Sequence, residues 1–279
     1  MEILETRSEY PLEYPLEYPL EYPPKYPPKY PPKYQIDDAI LSAWKKCDNC
    51  QMVFEMSPND IGINNHICDE KCPSIQDIRI RRRDGLETLP ATVYSSLLPY
   101  QTPQVKEILN NIFKVLPSRI IDCTCHIGGD TLHFAEVFPS SQIIAIDIDF
   151  DALQCLKGNI QKRGLKTDNF QFIHSDCVQW IKKVKLPAEL YYFDPPWGGP
   201  TYTLDQNLDL YLGGDNITKI INFILSERLT SHIILKAPRN FSYFEFQQNI
   251  TGISALYHIK KPKKNNEIAY LLILIIPSV

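Results

Sequence analysis

The sequence predicts an α/β domain: a mostly parallel sheet covered by helices on both faces and finished by an antiparallel hairpin. Three observations lead there. Short apolar runs alternate with amphipathic stretches across residues 90–279, the βα repeat of a parallel sheet. Several of those runs stop at an acid or at a Gly/Pro turn, the place where open α/β sheets bind ligands. The last two runs are joined only by residues 261–267, which makes them a hairpin.

The elements follow in order. Thr102-Pro103 reads as a helix start, a capping residue followed by proline at the first helical position. Val105, Ile108, Leu109, Ile112, Phe113 and Leu116 then recur at helical spacing. Strands are expected near 119–123, 142–147, 170–174, 188–193, 231–236, 254–260 and 268–276. Helices near 130–138, 151–163, 176–183 and 215–229 separate the first five strands. This layout is similar to the class I S-adenosylmethionine (SAM) methyltransferase fold more than to a dinucleotide-binding one.

Two further regions precede this domain. Residues 1–34 contain a tetrapeptide repeat, Glu-Tyr-Pro-Leu passing into Lys-Tyr-Pro-Pro. A proline at every fourth position forbids helices and sheet ladders, so polyproline II or disorder is expected. It reads either as a docking tail for aromatic-lined grooves or as an expanded repeat of little consequence. Residues 35–89 are polar and carry Cys47-x2-Cys50 and, after seventeen further residues, Cys68-x3-Cys72, with His66 nearby. A segment that short needs a staple. Thiolates of Cys47, Cys50, Cys68 and Cys72 at zinc-ribbon-like spacing would provide a structural zinc, with His66 as a substitute ligand and free thiols as the alternative.

Composition narrows the class. Of 279 residues, 44% are hydrophobic and 22% charged, as in ordinary globular proteins. A net charge of −4 excludes a broadly basic nucleic-acid binder, so such contacts must be local. Arg79, Arg81, Arg82 and Arg83, and Lys260, Lys261, Lys263 and Lys264, are two local basic runs; either is also what a solvated face or hairpin tip looks like. The N-terminus is acidic and reads as no signal peptide. The longest apolar run, 268–276, is far below the ~20 residues of a membrane helix. Eight cysteines without a leader imply a reducing, intracellular location, and no membrane partner is expected.

The candidate chemistry sits at strand ends. Residues 190–193 form an apolar run followed by Asp194-Pro195-Pro196-Trp197-Gly198-Gly199-Pro200. Two prolines freeze φ and fix where the preceding carbonyls point. Asp194 and the Pro195 carbonyl can accept the N–H bonds of an exocyclic amine, and Trp197 can stack on its ring. A Pro/Gly turn alone would not call for Asp and Trp. Upstream, Asp122 ends a strand and precedes Cys123 and the pair Gly128-Gly129, which allow close backbone approach before a helix whose free N–H groups suit a carboxylate. Asp147 ends the next strand about 20 residues on, placed for ribose hydroxyls. Asp176 follows the third strand and could take an adenine amine. Three acids at successive strand ends point to SAM. His126 and His133 read as bystanders, because direct methyl transfer needs no general base.

Together these motifs resemble the trimethylguanosine synthase family, the RNA cap guanine-N2 methyltransferases, in their compact protist or large-DNA-virus form. The family's Asp-x-Phe-Cys-Gly-x-Gly-Gly-Asn stands here as residues 122–130, its Ile-Asp-Ile-Asp as 146–149, and its Thr-Pro-Glu as Thr102-Pro103-Gln104. Its Ser-Pro-Pro-Trp-Gly-Gly-Pro-x-Tyr stands as 194–202, and its Leu-Pro-Arg-Asn as Ala237-Pro238-Arg239-Asn240. The resemblance covers residues 90–279. It implies that Thr102, Asp122, Cys123, Gly128, Gly129, Asp147 and Asp176 hold SAM. It further implies that Asp194, Pro195, Pro196 and Trp197 form the catalytic turn, and that Trp197 with Tyr202 receives 7-methylguanine. Arg239 and Asn240 would meet the cap phosphates, with capped RNA as the partner of a chain acting as a monomer. His126 replaces the family's first glycine and Asp194 its serine; the second change is shared with adenine-N6 and cytosine-N4 methyltransferases, the rival enzyme reading. A non-catalytic RNA-binding adaptor is the rival from another class.

Overall fold

The computed structural model describes residues 44–46, 52–55, 80–81, 86–88, 101–198, 202–261 and 267–278. In chain order the elements begin with four short strands, β1 (Trp44–Lys46), β2 (Met52–Glu55), β3 (Ile80–Arg81) and β4 (Glu87–Thr88). Next come α1 (Thr102–Ile112), β5 (Arg119–Asp122), α2 (Gly129–Val137), β6 (Gln142–Asp147), α3 (Phe150–Lys162), β7 (Phe170–His174), α4 (Cys177–Val184) and β8 (Ala188–Phe193). The chain closes with β9 (Tyr211–Leu212), β10 (Asp215–Asn216), α5 (Ile217–Ser226), β11 (Thr230–Ala237), α6 (Tyr243–Asn249), β12 (Gly252–Lys260) and β13 (Ile268–Pro277).

The main sheet runs β1-β2-β7-β6-β5-β8-β11-β13-β12. Within this sheet β2, β7, β6, β5, β8 and β11 run parallel; β13 inserts antiparallel between β11 and β12, so the expected terminal hairpin forms. The order reverses between β5 and β8, which creates the crevice where such sheets bind ligands. Beyond the expected strands, β1 and β2 of the cysteine-bearing region extend the sheet, β2 lying parallel to β7.

Alternation across the strands builds a core on each face. On one side Ile121, Ile146, Tyr191, Phe193, Ile233 and Leu235 meet α4, α5 and α6. On the other Ile120, Ala145, Leu190, Tyr192 and Ile234 meet α1, α2 and α3. Both faces being covered explains why these strands read as nearly unbroken apolar runs. Each fully buried large side chain contributes about 1.5–3 kcal/mol.

Several local expectations change. Helix α1 starts with Thr102 already inside it and Gln101 at the cap position without a side-chain cap bond. It also stops at Ile112, and Leu116 is 56% exposed beyond it. Pro117 follows within one residue, and the residue before a proline is biased away from helix. The helix expected from 215 begins at Ile217, because Tyr211–Leu212 and Asp215–Asn216 pair across Gly213-Gly214, both at positive φ. Helix α6 is an element the periodicity missed. The repeat of residues 1–34, Cys47, Cys50, Cys68 and Cys72, and the Gly199-Pro200 end of the Trp-Gly-Gly motif lie outside the described residues.

Candidate active site at the carboxyl ends of β5, β6 and β8

Asp122 ends β5 and is buried on the α2 side of the sheet. Its carboxylate accepts the Thr124 N–H at 3.2 Å and the Thr131 hydroxyl at 2.6 Å. Burial pushes its pKa up to about 8, with the Thr131 bond opposing and the charge of Asp130 reinforcing the rise. The chain then turns through Thr124 to Gly128. Gly128 caps α2 at φ 96°, and a Cβ there would stand 2.2 Å from Leu156 Cδ1, so only glycine fits without displacing that side chain. Asn159 braces the turn, its amide donating to the Ile127 carbonyl and, on β4, to the Glu87 carbonyl. The Cys123 side chain packs in the core on the other face and its N–H donates to the Tyr192 carbonyl. Any contact it makes with a ligand is therefore through its backbone. Burial pushes the Cys123 and Cys125 thiols well above their ordinary range.

Asp147 ends β6. One oxygen accepts the His126 N–H at 2.7 Å and the other the Asp149 N–H at 2.9 Å. Burial raises its pKa to about 6. The next acid in the tetrapeptide does a different job: Asp149 caps α3 through Asp151 N–H and Ala152 N–H. His126 occupies the family's glycine position at φ 46°, the left-handed region that disfavours a side chain. Its two ring nitrogens are buried without a hydrogen-bond partner among the described residues, and burial holds the ring neutral, with a pKa near 4. His133, on α2, is likewise buried and unpartnered.

Asp176 caps α4, one oxygen accepting the Val178 and Gln179 N–H groups. Both oxygens face the Gly213 turn, where an added Cβ would stand 2.9 and 3.0 Å from them. The β9–β10 hairpin thus closes over this acid. Among the three expected acids, Asp122 and Asp147 have no helix-capping duty, whereas Asp176 combines one with its place beside the crevice.

Asp194 leaves β8, its N–H donating to Thr124 Oγ1 at 2.7 Å. Its carboxylate is not free. Lys236 Nζ donates to Asp194 Oδ2 at 2.7 Å and to Asp130 Oδ2 at 3.1 Å. Burial pushes the Asp194 carboxyl up, and the Lys236 ammonium opposes that. Pro195 is buried and Pro196 exposed. Trp197 packs against both apolar layers and meets Tyr202 edge-on, centroids 5.4 Å apart. Asn240 spends both amide hydrogens on the carbonyls of Tyr202 and Asp205, at 2.8 Å each. It ties the segment after the Trp-Gly-Gly turn to the end of β11. Arg239 beside it is exposed. Thr102 lies in the first turn of α1, whose Gln104 exchanges two hydrogen bonds with the Lys260 backbone of β12.

Sequence reasoning missed Thr124, Asp130, Thr131 and Lys236. Only Lys236 carried a visible signal, a lone lysine inside an apolar strand. The residues fit SAM in one specific sense: acidic oxygens with lone pairs to spare line a glycine-gated turn at the crevice. Among the described residues no group of three or more His, Cys, Asp and Glu side chains is placed to hold a metal ion, and no helix is long and apolar enough to cross a membrane.

Comparison with known proteins gives the family and the fold. The sequence model of the family described as RNA cap guanine-N2 methyltransferase matches residues 117–277. Trimethylguanosine synthase of Saccharomyces cerevisiae is 32% identical over 127 residues, covering 44% of this chain and 39% of that protein. An uncharacterised mimivirus protein, L320, is 29% identical over 127 residues, covering 46% and 48%. The chain therefore spans less than half the length of these curated relatives. A SAM-dependent methyltransferase structure from Agrobacterium tumefaciens superposes with a TM-score of 0.53 at 15% identity, covering 69% of this chain and 68% of that one. The fold is that of class I SAM-dependent methyltransferases.

Proposed function

Since the chain belongs to the RNA cap guanine-N2 methyltransferase family, we propose that it methylates the exocyclic N2 of a 7-methylguanosine RNA cap, giving 2,7-dimethyl- or 2,2,7-trimethylguanosine. The observation that carries this reading is the Asp194-Pro195-Pro196-Trp197 turn standing beside Asp122 and Asp147 at one end of the sheet. SAM, when bound, supplies an electrophilic methyl group on a sulfonium. Asp147 is suited to the ribose hydroxyls, Asp122 to the methionine ammonium, and Asp176 to the adenine amine. Asp194 and the Pro195 carbonyl would accept the two amine hydrogens and so aim the nitrogen lone pair. Trp197 would stack on the base, and a cationic 7-methylated ring would gain about 0.5–2 kcal/mol of cation–π attraction over neutral guanine. Catalysis is then mostly positioning. The amine sheds its proton as the methyl arrives, so no strong base is required. Arg239, exposed next to Asn240, is the candidate for phosphate contact.

The experiment is methyl transfer from labelled SAM to 7-methyl-GTP, GTP and adenosine acceptors. Transfer to 7-methyl-GTP above GTP is expected. One observation favours a second reading: the carboxylate of Asp194 also suits an adenine or cytosine amine. Transfer to adenine-containing RNA, with none to the cap analogue, would establish that reading instead.

A further inference from the structure

We propose that Lys236 is a positioning residue that holds Asp194 as a fixed, ionised acceptor, and so lets a carboxylate stand where the resembled family carries serine. The inference rests on the methyltransferase reading above. Its basis is the sheet. Strands β8 and β11 are parallel with Phe193 opposite Leu235, so the next residues of each, Asp194 and Lys236, emerge side by side. Lys236 is the only Lys, Arg, Asp or Glu in β11. Its side chain is 6% exposed and bridges Asp194 and Asp130, themselves 17% and 13% exposed. The ammonium also lies 5.1 Å from the centre of the Tyr270 ring.

A buried ammonium between two carboxylates is not explained by stability. Replacing such a set with apolar side chains is often neutral or stabilising. Its effect is instead on Asp194. The main chain there is tied through Thr124 Oγ1, and Lys236 takes Oδ2. The Trp197 indole N–H also bears on this carboxylate and, like Lys236, favours its charged form; Lys236 on Oδ2 turns the other oxygen, Oδ1, toward the side where a substrate amine would approach. A serine hydroxyl would need no counter-ion. A buried carboxylate does, since burial favours its neutral form, and a protonated carboxyl would turn an O–H toward an amine that also needs an acceptor. The charged and titratable groups around Asp194 are Asp122 on β5, Asp130 on α2, Tyr192 on β8, Lys236 on β11 and Tyr270 on β13. Lys236 is the sole cation among them.

The test is a cycle of Lys236→Met, Asp194→Ser and the double variant, each read as kcat and KM against pH. Lys236→Met is expected to move the acid limb of kcat upward by about two pH units from its position near 6, lowering kcat about tenfold at pH 7 with recovery at alkaline pH. The double variant should return to within about threefold of Asp194→Ser, since serine no longer needs the counter-ion. An unshifted pH profile, or a double variant no better than Lys236→Met, overturns the proposal. Should Lys236→Met fail to fold, the same comparison is made in an Asp130→Asn background, which removes one uncompensated charge. The cycle is run on whichever acceptor wild type methylates, 7-methyl-GTP, GTP or adenosine. Methylation of adenosine alone sinks the cap reading and leaves the cycle intact. A carboxyl 13C titration of Asp194 needs no acceptor: a pKa raised in the Met variant supports the proposal, and an equal pKa in both proteins ends it.

Discussion

Trp197 is the residue on which the substrate proposal depends. Its indole is wedged between both apolar layers and braced by Tyr202, an arrangement that fixes the ring before any base arrives. Truncation to alanine should lower kcat/KM for 7-methyl-GTP by about 1–3 kcal/mol, the range of base–aromatic stacking. Phenylalanine, with a smaller π-face, should recover part of it. Initial rates with 7-methyl-GTP and GTP decide; undiminished rates in Trp197→Ala would remove the stacking role. Asp122 leads to a stability prediction. Its pKa is raised by burial to about 8, so the folded state holds its proton more tightly than the unfolded chain. Its contribution is therefore favourable at low pH and is lost as pH rises from about 4 through about 8. Asp122→Asn should gain on wild type as pH increases between 5 and 8. At about 2–4 °C of Tm per kcal/mol, thermal unfolding at the two pH values resolves the difference. A constant gap would show that Asp122 is not held protonated.

Among the elements, the β9–β10 hairpin and α6 were the least legible. The β9–β10 hairpin drops Gly213 onto Asp176. Its signal was present, since Gly-Gly between short strands marks a two-residue hairpin turn, but the apolar stripe of α5 next to it dominated the reading. Helix α6, only seven residues long, is too short for periodicity to declare itself. The loop of Tyr202 and Asp205 is held by Asn240 from the far end of β11. That geometry predicts a loop-ordering role. Asn240→Ala should weaken binding of 7-methylguanosine and of 7-methyl-GTP by similar factors, about 1–3 kcal/mol for the carbonyls left unpaired. Calorimetric titration of the wild type and variant with both ligands tests it. Loss confined to the phosphorylated ligand would instead make Asn240 a phosphate contact.

At the scale of the whole molecule, the family match lies within residues 117–277, well clear of the proline-punctuated repeat of residues 1–34. Proline at every fourth position removes backbone donors that helices and sheet ladders use, which is the ground for expecting the repeat to take no part in the chemistry. Deleting residues 1–34 should leave kcat on a cap analogue within about threefold of the full chain. Steady-state rates of the two proteins check this, and a collapse of kcat would give the repeat a part in the chemistry. Residues 35–89 stand differently, because β2 lies along β7 and β4 is tied through Glu87 to Asn159 and thence to the Ile127 carbonyl of the glycine turn. The cysteine-bearing region is thus connected with the sheet and with the turn beside Asp122.

Local chemistry wrote much of this protein into its sequence. The seven main-sheet strands between residues 119 and 277, the acids at their ends, Gly128 at its turn and the Asp-Pro-Pro-Trp corner were all legible, because alternation, φ preference and turn chemistry act over a few residues. Cap assignments at Thr102 and Asp176 were less so, since a polar side chain before a helix can cap it or serve a ligand, and only its hydrogen bonds tell which. What tertiary structure alone decided are the encounters between distant residues. Lys236 meets Asp194 across 42 positions and Asp130 across 106 because β11 lies next to β8 in the same direction and α2 covers their common face. No local pattern carries that information: strand order and register are settled when the two apolar layers close on the sheet, and the charges at its end then fall where the packing leaves them.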